Sequence, residues 1–382
     1  MGKQLALTTV FAALIFSLNS AAQAPHYEIS GKIAGADGIQ FVLQKFSNGR
    51  VVNFDTVTVT KGNFKITGGS VNYPEMVSFV TTDGKRGFSF YLENTKISVT
   101  GNIDSLNLAK VTGSKSTDEY YEFIRLYRPL NEKMNRLTND YRAASASANT
   151  GNNGEPDEKM KKLNDDYMTA SGAVIAEIKQ LIKDFIKTYP SSFVSPMLLG
   201  SLVKDTPSAE LEPLIKTMDQ EVVKIPEMTA LIAGIAARKV VEPGQKAPDF
   251  TLNNPDGKPV SLSSKVGARL LLIDFWAAWC GPCRRENPNV VKVYNEFHDK
   301  GFDVLGVSLD RERGQWLQAI SDDKLIWTQV SDLQYFNSPV ARLYNVNAIP
   351  SNFLLDDKGI IIAVNLRGED LLTKVRELIE RK

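Results

Sequence analysis

Leu270-Leu271-Leu272-Ile273-Asp274-Phe275-Trp276-Ala277-Ala278-Trp279-Cys280-Gly281-Pro282-Cys283 is the stretch that decides how this chain is read. Its first seven residues are apolar apart from Asp274, the pattern of a strand buried on both faces. Polar and apolar residues then mix from Arg284 to Val291, as at the opening of a helix. Cys280 and Cys283 are the only two cysteines among 382 residues. Two thiols at CxxC spacing, on a strand-to-helix junction, form a redox pair with a mechanism.

Other uses of the pair fit less well. A structural disulfide across so short a loop would stabilise little. Zinc needs four ligands, and His298 has no cysteine or histidine companion at ligand spacing. A c-type haem site would need His after Cys283, where Arg284 stands. No metal or cofactor is therefore expected.

Around the motif, strand and helix patterns alternate from about Pro243. A turn at Asp256-Gly257-Lys258 precedes an extended Pro259–Leu262, and the strand Leu270–Trp276 follows. A helix is expected from about Cys280 to Lys300, a strand over Asp303–Leu309 and a helix over Gly314–Asp322. Leu325–Val330 reads as extended and Val340–Tyr344 as helical. A hairpin around Asp357-Lys358-Gly359 and a closing helix from Glu369 complete the layout. A βαβ unit followed by a hairpin and a helix is the layout of a thioredoxin fold.

The decade Asp274 to Cys283 resembles the active-site segment of thioredoxin. Gly244…Ala247-Pro248-Asp249-Phe250, Arg284-Arg285-Glu286-Asn287-Pro288 and Ile349-Pro350-Ser351 resemble the TlpA-like exported thiol-disulfide oxidoreductases of that superfamily. The match spans about 140 residues. The expected fold is thus an α/β thioredoxin fold at the C-terminus, preceded by an antiparallel β-sandwich or barrel and a helical region.

Cys280 is the expected nucleophile. At the first turn of a helix, partly exposed, its thiolate would be stabilised by the positive end of the helix dipole. Arg284 and Arg285 would add to this if they pointed toward the sulfur. Cys283, a turn deeper, would resolve the mixed disulfide. Gly281 and Pro282 lie between the thiols, and Pro282 suits a first-turn position that has no use for an N–H. Asp274, in an apolar strand, would have a raised pKa and could take the proton that Cys283 loses; a solvated strand end is the plain alternative. Glu286 stands one turn beyond Cys283, and the resemblance gives it an acid/base role at that thiol. A helix-surface charge is its plain alternative. Ile349-Pro350, with Pro350 cis, is placed by the resemblance beside the cysteines as a ledge for extended substrate, with Trp279 in the contact surface. Two departures stand out. Ser351-Asn352 replaces the commoner Thr-containing version. Val304-Leu305-Gly306-Val307 lacks the lysine that thioredoxin sets near its buried Asp.

The rest of the chain divides by pattern. Residues 1–24 read as a cleaved signal peptide: Lys3, an apolar Leu5–Leu18, then Ala22-Gln23-Ala24. No cysteine follows that could carry a lipid anchor. Export to the periplasm or cell envelope is expected. Residues 25–115 alternate in short Val-, Phe- and Thr-rich runs: Ile39–Phe46, Val51–Thr60, Met76–Thr81, Gly87–Leu92, Lys96–Thr100 and Leu108–Thr112. Gly-containing turns separate them, and about eight strands suggest a sandwich or barrel. Phe54-Asp55-Thr56-Val57, Lys61-Gly62-Asn63-Phe64, Phe90-Tyr91-Leu92-Glu93 and Val111-Thr112-Gly113-Ser114 resemble an N-terminal β domain of undefined role found ahead of thioredoxin-like domains. Residues 116–240 turn helical. Stripes at Tyr120…Tyr141 and Met160…Phe185 suggest an antiparallel pair, with a break or kink at Pro129 and a flexible Ala143–Pro156 connection. A structural connector and a partner-binding coiled coil are both readings of that pair. Residues 243–382 form the thioredoxin-like domain.

With 45 basic and 44 acidic residues, the chain has no electrostatic footprint for nucleic acid or anionic membrane. The expected partners are protein thiols or disulfides and a membrane-side electron donor. The pattern is silent on oligomeric state. Two other functions compete with disulfide reduction. One is thiol peroxidase, since Ala247-Pro248-Asp249-Phe250 is shared with peroxiredoxins, although Ala277 and Ile273 stand where their Thr and Pro would be. The other is a binding or assembly protein with a regulatory CxxC.

Overall fold

The computed structural model describes residues 26–47, 49–148 and 158–381. The expected signal segment lies outside the described residues, as do residues 149–156 of the expected connection. Among the described residues, no helix is long and apolar enough to cross a membrane. The chain divides into two units after Arg125.

The first unit holds β1 (Glu28–Ala34), β2 (Gln40–Ser47), β3 (Arg50–Thr58), β4 (Asn63–Thr67), β5 (Glu75–Thr81), β6 (Gly87–Leu92), β7 (Lys96–Asn102) and β8 (Lys110–Thr112). They form two four-stranded sheets, ordered β4-β1-β7-β8 and β3-β2-β5-β6. Inward residues of both sheets make one core: Ile29, Ile33, Phe64 and Val99 meet Phe41, Leu43, Phe79 and Phe90. Phe79 stacks on Phe41 of its own sheet at 4.7 Å and on Phe64 of the other at 5.0 Å. This is a β-sandwich. Its pairing departs from the antiparallel expectation at one place, where β1 runs parallel to β7. The connection from β1 to β7 passes through the other sheet, so the two strands need no hairpin between them.

α1 (Lys115–Ala148) begins before the division and continues past it. It runs through Pro129, so of the kink or break expected there, the break is absent. The helix also extends five residues beyond Ala143, into the segment expected as a loop. Ala and Ser from position 143 onward keep a helix that adjoining turns already support. α2 (Glu158–Thr188) runs antiparallel to the second part of α1. Tyr141 stacks on Tyr167 at 4.4 Å and bonds Asn164 at 2.7 Å, while Lys133 pairs with Glu177 at 2.8 Å. α3 (Ser195–Leu202), α4 (Ser208–Thr217), α5 (Gln220–Val223) and α6 (Pro226–Lys239) follow.

The remaining chain builds one seven-stranded sheet from β9 (Thr251–Asn253), β10 (Pro259–Ser261), β11 (Leu270–Trp276), β12 (Phe302–Ser308), β13 (Thr328–Ser331), β14 (Ser351–Asp356) and β15 (Ile361–Val364). The strand order is β10-β9-β13-β12-β11-β14-β15. β11, β12 and β13 are parallel, and β14 and β15 return antiparallel. All seven residues of β11 are buried, as its apolar run requires. The helices are α7 (Gly281–Phe297), α8 (Arg313–Asp322), α9 (Pro339–Leu343) and α10 (Gly368–Glu380). Val290, Val293 and Phe297 of α7 and Leu371 and Val375 of α10 cover the face of β11 that carries Leu270, Leu272 and Trp276. Leu271, Ile273 and Phe275 pack on the opposite face with Val340 and Ala341 of α9. This is the thioredoxin-like α/β fold.

Candidate active site

β11 ends at Trp276, and after three intervening residues the chain enters α7 with Cys280 as its N-cap. The loop is pinned from below. Both carboxylate oxygens of buried Asp310 accept the Ala278 amide at 3.1 Å, and its Oδ2 accepts the Ser308 hydroxyl at 2.8 Å. Burial pushes the Asp310 carboxyl up, and these hydrogen bonds pull it back. Cys280 and Cys283 are joined as a disulfide. The Cys283 amide points at Cys280 Sγ from 3.1 Å, one of the first-turn N–H groups that a helix leaves without internal partners. Cys280 Sγ also lies 3.7 Å from the Ile349 carbonyl oxygen, and the Ile349–Pro350 peptide is cis. Cys280 is only 4 % exposed. The expectation of a partly exposed sulfur does not hold for the disulfide, whose Sγ faces the Ile349 carbonyl.

Trp279 is exposed beside the pair. Its indole donates to the Leu309 carbonyl at 3.2 Å and its ring meets Tyr335 at 5.0 Å. Tyr335 holds a left-handed backbone, φ +56, and carries the Arg311 guanidinium 4.3 Å above its ring. Gly281 and Pro282 are exposed at the first turn of α7. Arg284 does not reach the sulfurs. Its guanidinium is held by Asp323, with Nη2 donating to Oδ1 at 2.8 Å, and by Asp322 at 3.8 Å. A paired acidic site at the end of α8 outcompetes a neutral disulfide for that cation.

Asp274 is 6 % exposed, on the β11 face that α7 and α10 cover, so it is no solvated strand end. Its carboxyl is pushed up to about 7, chiefly by burial; Arg367 pulls it down and Glu286 pushes it further up. Glu286 is half-buried, and its placement goes beyond a surface charge. Oε1 accepts the Gly368 backbone N–H at 2.7 Å and Oε2 accepts the Asn289 side-chain Nδ2–H at 3.1 Å. It thereby satisfies a first-turn N–H of α10, eighty-two residues away in sequence.

Three participants were not expected from the sequence. Arg367, the N-cap of α10, donates to the Pro350 carbonyl at 2.5 Å and to the Leu366 carbonyl at 2.7 Å. Asn352, 1 % exposed, locks Leu366 from both sides, accepting its amide at 3.0 Å and donating to its carbonyl at 2.8 Å. Gln329 accepts the Trp276 indole N–H at 3.0 Å. A Cβ at Gly306 would stand 2.1 Å from the Gln329 side-chain oxygen, which accounts for the glycine in β12. The only forewarning in the sequence was that 306 and 352 departed from the resembled pattern.

Comparison with known proteins then places the chain. Residues 243–364 match the model of the AhpC/TSA family. The thioredoxin-like protein YneN of Bacillus subtilis is 36% identical over 125 residues, 32% of this chain and 69% of that protein. This chain belongs to the thioredoxin-like family. The thiol-disulfide oxidoreductase ResA of Bacillus subtilis is 26% identical over 132 residues, covering 35% of this chain and 72% of that one. The solved thioredoxin domain of a thiol-disulfide oxidoreductase from Bacteroides vulgatus is 38% identical, covering 36% of this chain and 99% of that domain at a TM-score of 0.35. These relatives are named a thioredoxin-like protein and a thiol-disulfide oxidoreductase, and this chain is a thiol-disulfide oxidoreductase of that kind. Residues 27–120 match a domain of unknown function, DUF4369, which covers the β-sandwich.

Proposed function

We propose that this chain reduces disulfides of exported proteins in the cell envelope by dithiol exchange at Cys280 and Cys283. The observation that carries the reading is the pair itself, set at the N-terminus of α7 with Cys280 Sγ against the carbonyl that precedes cis-Pro350.

In the reduced protein, the Cys280 thiolate attacks one sulfur of a substrate disulfide, and the other substrate sulfur leaves and takes up a proton. Cys283 gives its proton to Asp274, whose carboxyl near 7 suits exchange at neutral pH. Glu286, one turn beyond Cys283, acts at the same thiol. The Cys283 thiolate then attacks Cys280 Sγ, breaking the mixed disulfide and releasing the second substrate thiol. Two electrons have passed to the substrate, and the protein is left as the disulfide observed here. A membrane-side dithiol donor returns it to the reduced form.

Trp279, Gly281, Pro282, Ile349 and Pro350 form the surface against which an extended substrate lies. Residues 243–382 carry the exchange, with 25–115 and 116–240 as the β and helical regions before them. Export rests on the pattern of residues 1–24, with cleavage ahead of Pro25.

Insulin reduction with a competent electron donor tests the chemistry. The wild-type chain should be active and Cys280→Ser should fall to the uncatalysed rate; an inactive wild type, or an active mutant, overturns the reading. Equilibration with glutathione tests the direction. A potential near that of thioredoxin, about −270 mV, fits a reductase, and one near about −120 mV makes the chain an oxidase.

A further inference from the structure

Asp274 lies in the middle of a seven-stranded sheet, where a carboxylate needs a nearby cation or must stay protonated. The neighbouring strands cannot supply one. Opposite Asp274, β12 has Gly306, whose side-chain space is filled by Gln329 of β13. On the other side, β14 has Asn352, whose amide is spent on Leu366. The charged groups that act on Asp274 come from the helices that cover this face: Glu286 from α7 and Arg367 from the start of α10. Gly306, Gln329 and Asn352 do not titrate, and Cys283 is bound in the disulfide.

Arg367 also serves a second group. Its Nη2 holds the carbonyl of cis-Pro350, while Nη1 bonds its own helix entry at Leu366. The next residue, Gly368, gives its amide to Glu286. Asn352 fixes the backbone of Leu366, and therefore where this dipeptide stands. The Pro350 carbonyl and the Glu286 carboxyl are thus both bonded to Arg367-Gly368, and Asn352, which anchors that dipeptide through Leu366, is the register partner of Asp274.

We propose that Arg367, set in place by Asn352, is a positioning residue that couples the substrate ledge at Pro350 to the proton-handling carboxyls Asp274 and Glu286. The inference rests on the exchange mechanism proposed above and deepens it. One guanidinium does two jobs: its charge keeps Asp274 able to ionise near neutral pH, and its planar fork keeps the ledge carbonyl fixed. The two jobs need different chemistry, because charge alone suffices for the first and the fork geometry is needed for the second.

That difference gives the test. The Asp274 carboxyl is titrated by carbon NMR in the oxidised full chain, with Asp274→Asn identifying its signal, so no turnover is needed. Arg367→Met should move the midpoint up by roughly one pH unit. Arg367→Lys should leave it near the wild-type midpoint. Reduction of insulin should drop about tenfold in both variants, because both lose the fork. Reduction of a small aromatic disulfide, which needs no ledge, should drop only in Arg367→Met. Asn352→Ala should lower insulin reduction as Arg367→Lys does. An unmoved midpoint in folded Arg367→Met, or equal midpoint shifts with Met and Lys, overturns the inference. If the wild type reduces nothing, the exchange reading falls, and the titration still decides what Arg367 does for Asp274.

Discussion

The β-sandwich and the thioredoxin-like sheet are both built on apolar strands, and they differ in what they bury besides. In the sandwich, the buried polar side chains are Thr81, at the end of a strand, and Ser114, Ser116, Thr117 and Glu119, at the start of α1. No strand carboxylate there is buried among the described residues. In the thioredoxin-like sheet, Asp274, Asn352, Gln329, Ser308, Ser331 and Asp310 are all buried, in strands or just past their ends. Burying a carboxyl without full pairing costs free energy that an apolar residue would not. The sandwich is what packing alone produces. The sheet around Cys280 carries polar groups that weaken it as a core, the pattern expected where a fold gives up packing for a site, and the proposed exchange draws on Asp274 among them.

The comparison can be broken from either side, and the largest effect is expected in the sandwich. Phe79→Ala removes a ring that stacks on residues of both sheets, so that unit should lose about 3–5 kcal/mol. Denaturant unfolding followed by β-sheet circular dichroism reads this. Insulin reduction should not change, and a loss of activity would mean that the sandwich takes part in exchange.

Asp274→Asn comes next. The folded chain keeps Asp274 protonated up to about 7, whereas the unfolded chain releases that proton near its ordinary value of about 4. Between those two values the folded state binds more protons, so stability falls as pH rises. From about pH 5 to about pH 8 the loss is on the order of 2–3 kcal/mol, and Asp274→Asn should remove this slope. The same substitution should slow insulin reduction roughly a hundredfold near neutral pH. A mutant that keeps both the slope and the rate would show Asp274 to be an ordinary core polar group.

Gly306→Ala is the smallest. The added methyl would meet the Gln329 amide, so about 1–3 kcal/mol of stability should go, and the Trp276–Gln329 hydrogen bond with it. A change in Trp fluorescence together with a lowered melting temperature would register it. No change in either would place the Gln329 side chain elsewhere.

What the sequence made legible was local. The apolar run of β11, the CxxC at its end and Pro282 in the first turn lie within one stretch, and periodicity alone gave the strand and helix. The two helical stripes gave the antiparallel pair, which Tyr141–Tyr167 and Lys133–Glu177 hold in register. What escaped depended on distant partners. Arg367 joins the site through Pro350, seventeen residues back, and Glu286 through Gly368, eighty-two residues on. Arg284 looked free to face the sulfurs because Asp323, thirty-nine residues later, could not be placed beside it. The parallel β1–β7 pair escaped because hairpin turns predict only neighbours in sequence. The break expected at Pro129 did not form, because a proline costs a helix one donor while the turns on both sides keep theirs.

The central claim is that Cys280 makes the first bond to substrate and Cys283 breaks it. Reduced Cys283→Ala, mixed with oxidised insulin and analysed by mass spectrometry, tests this most directly. The account predicts a stable mixed disulfide on Cys280 that disappears when Cys280 is also replaced by alanine. Absence of any adduct from a folded, fully reduced Cys283→Ala would contradict it.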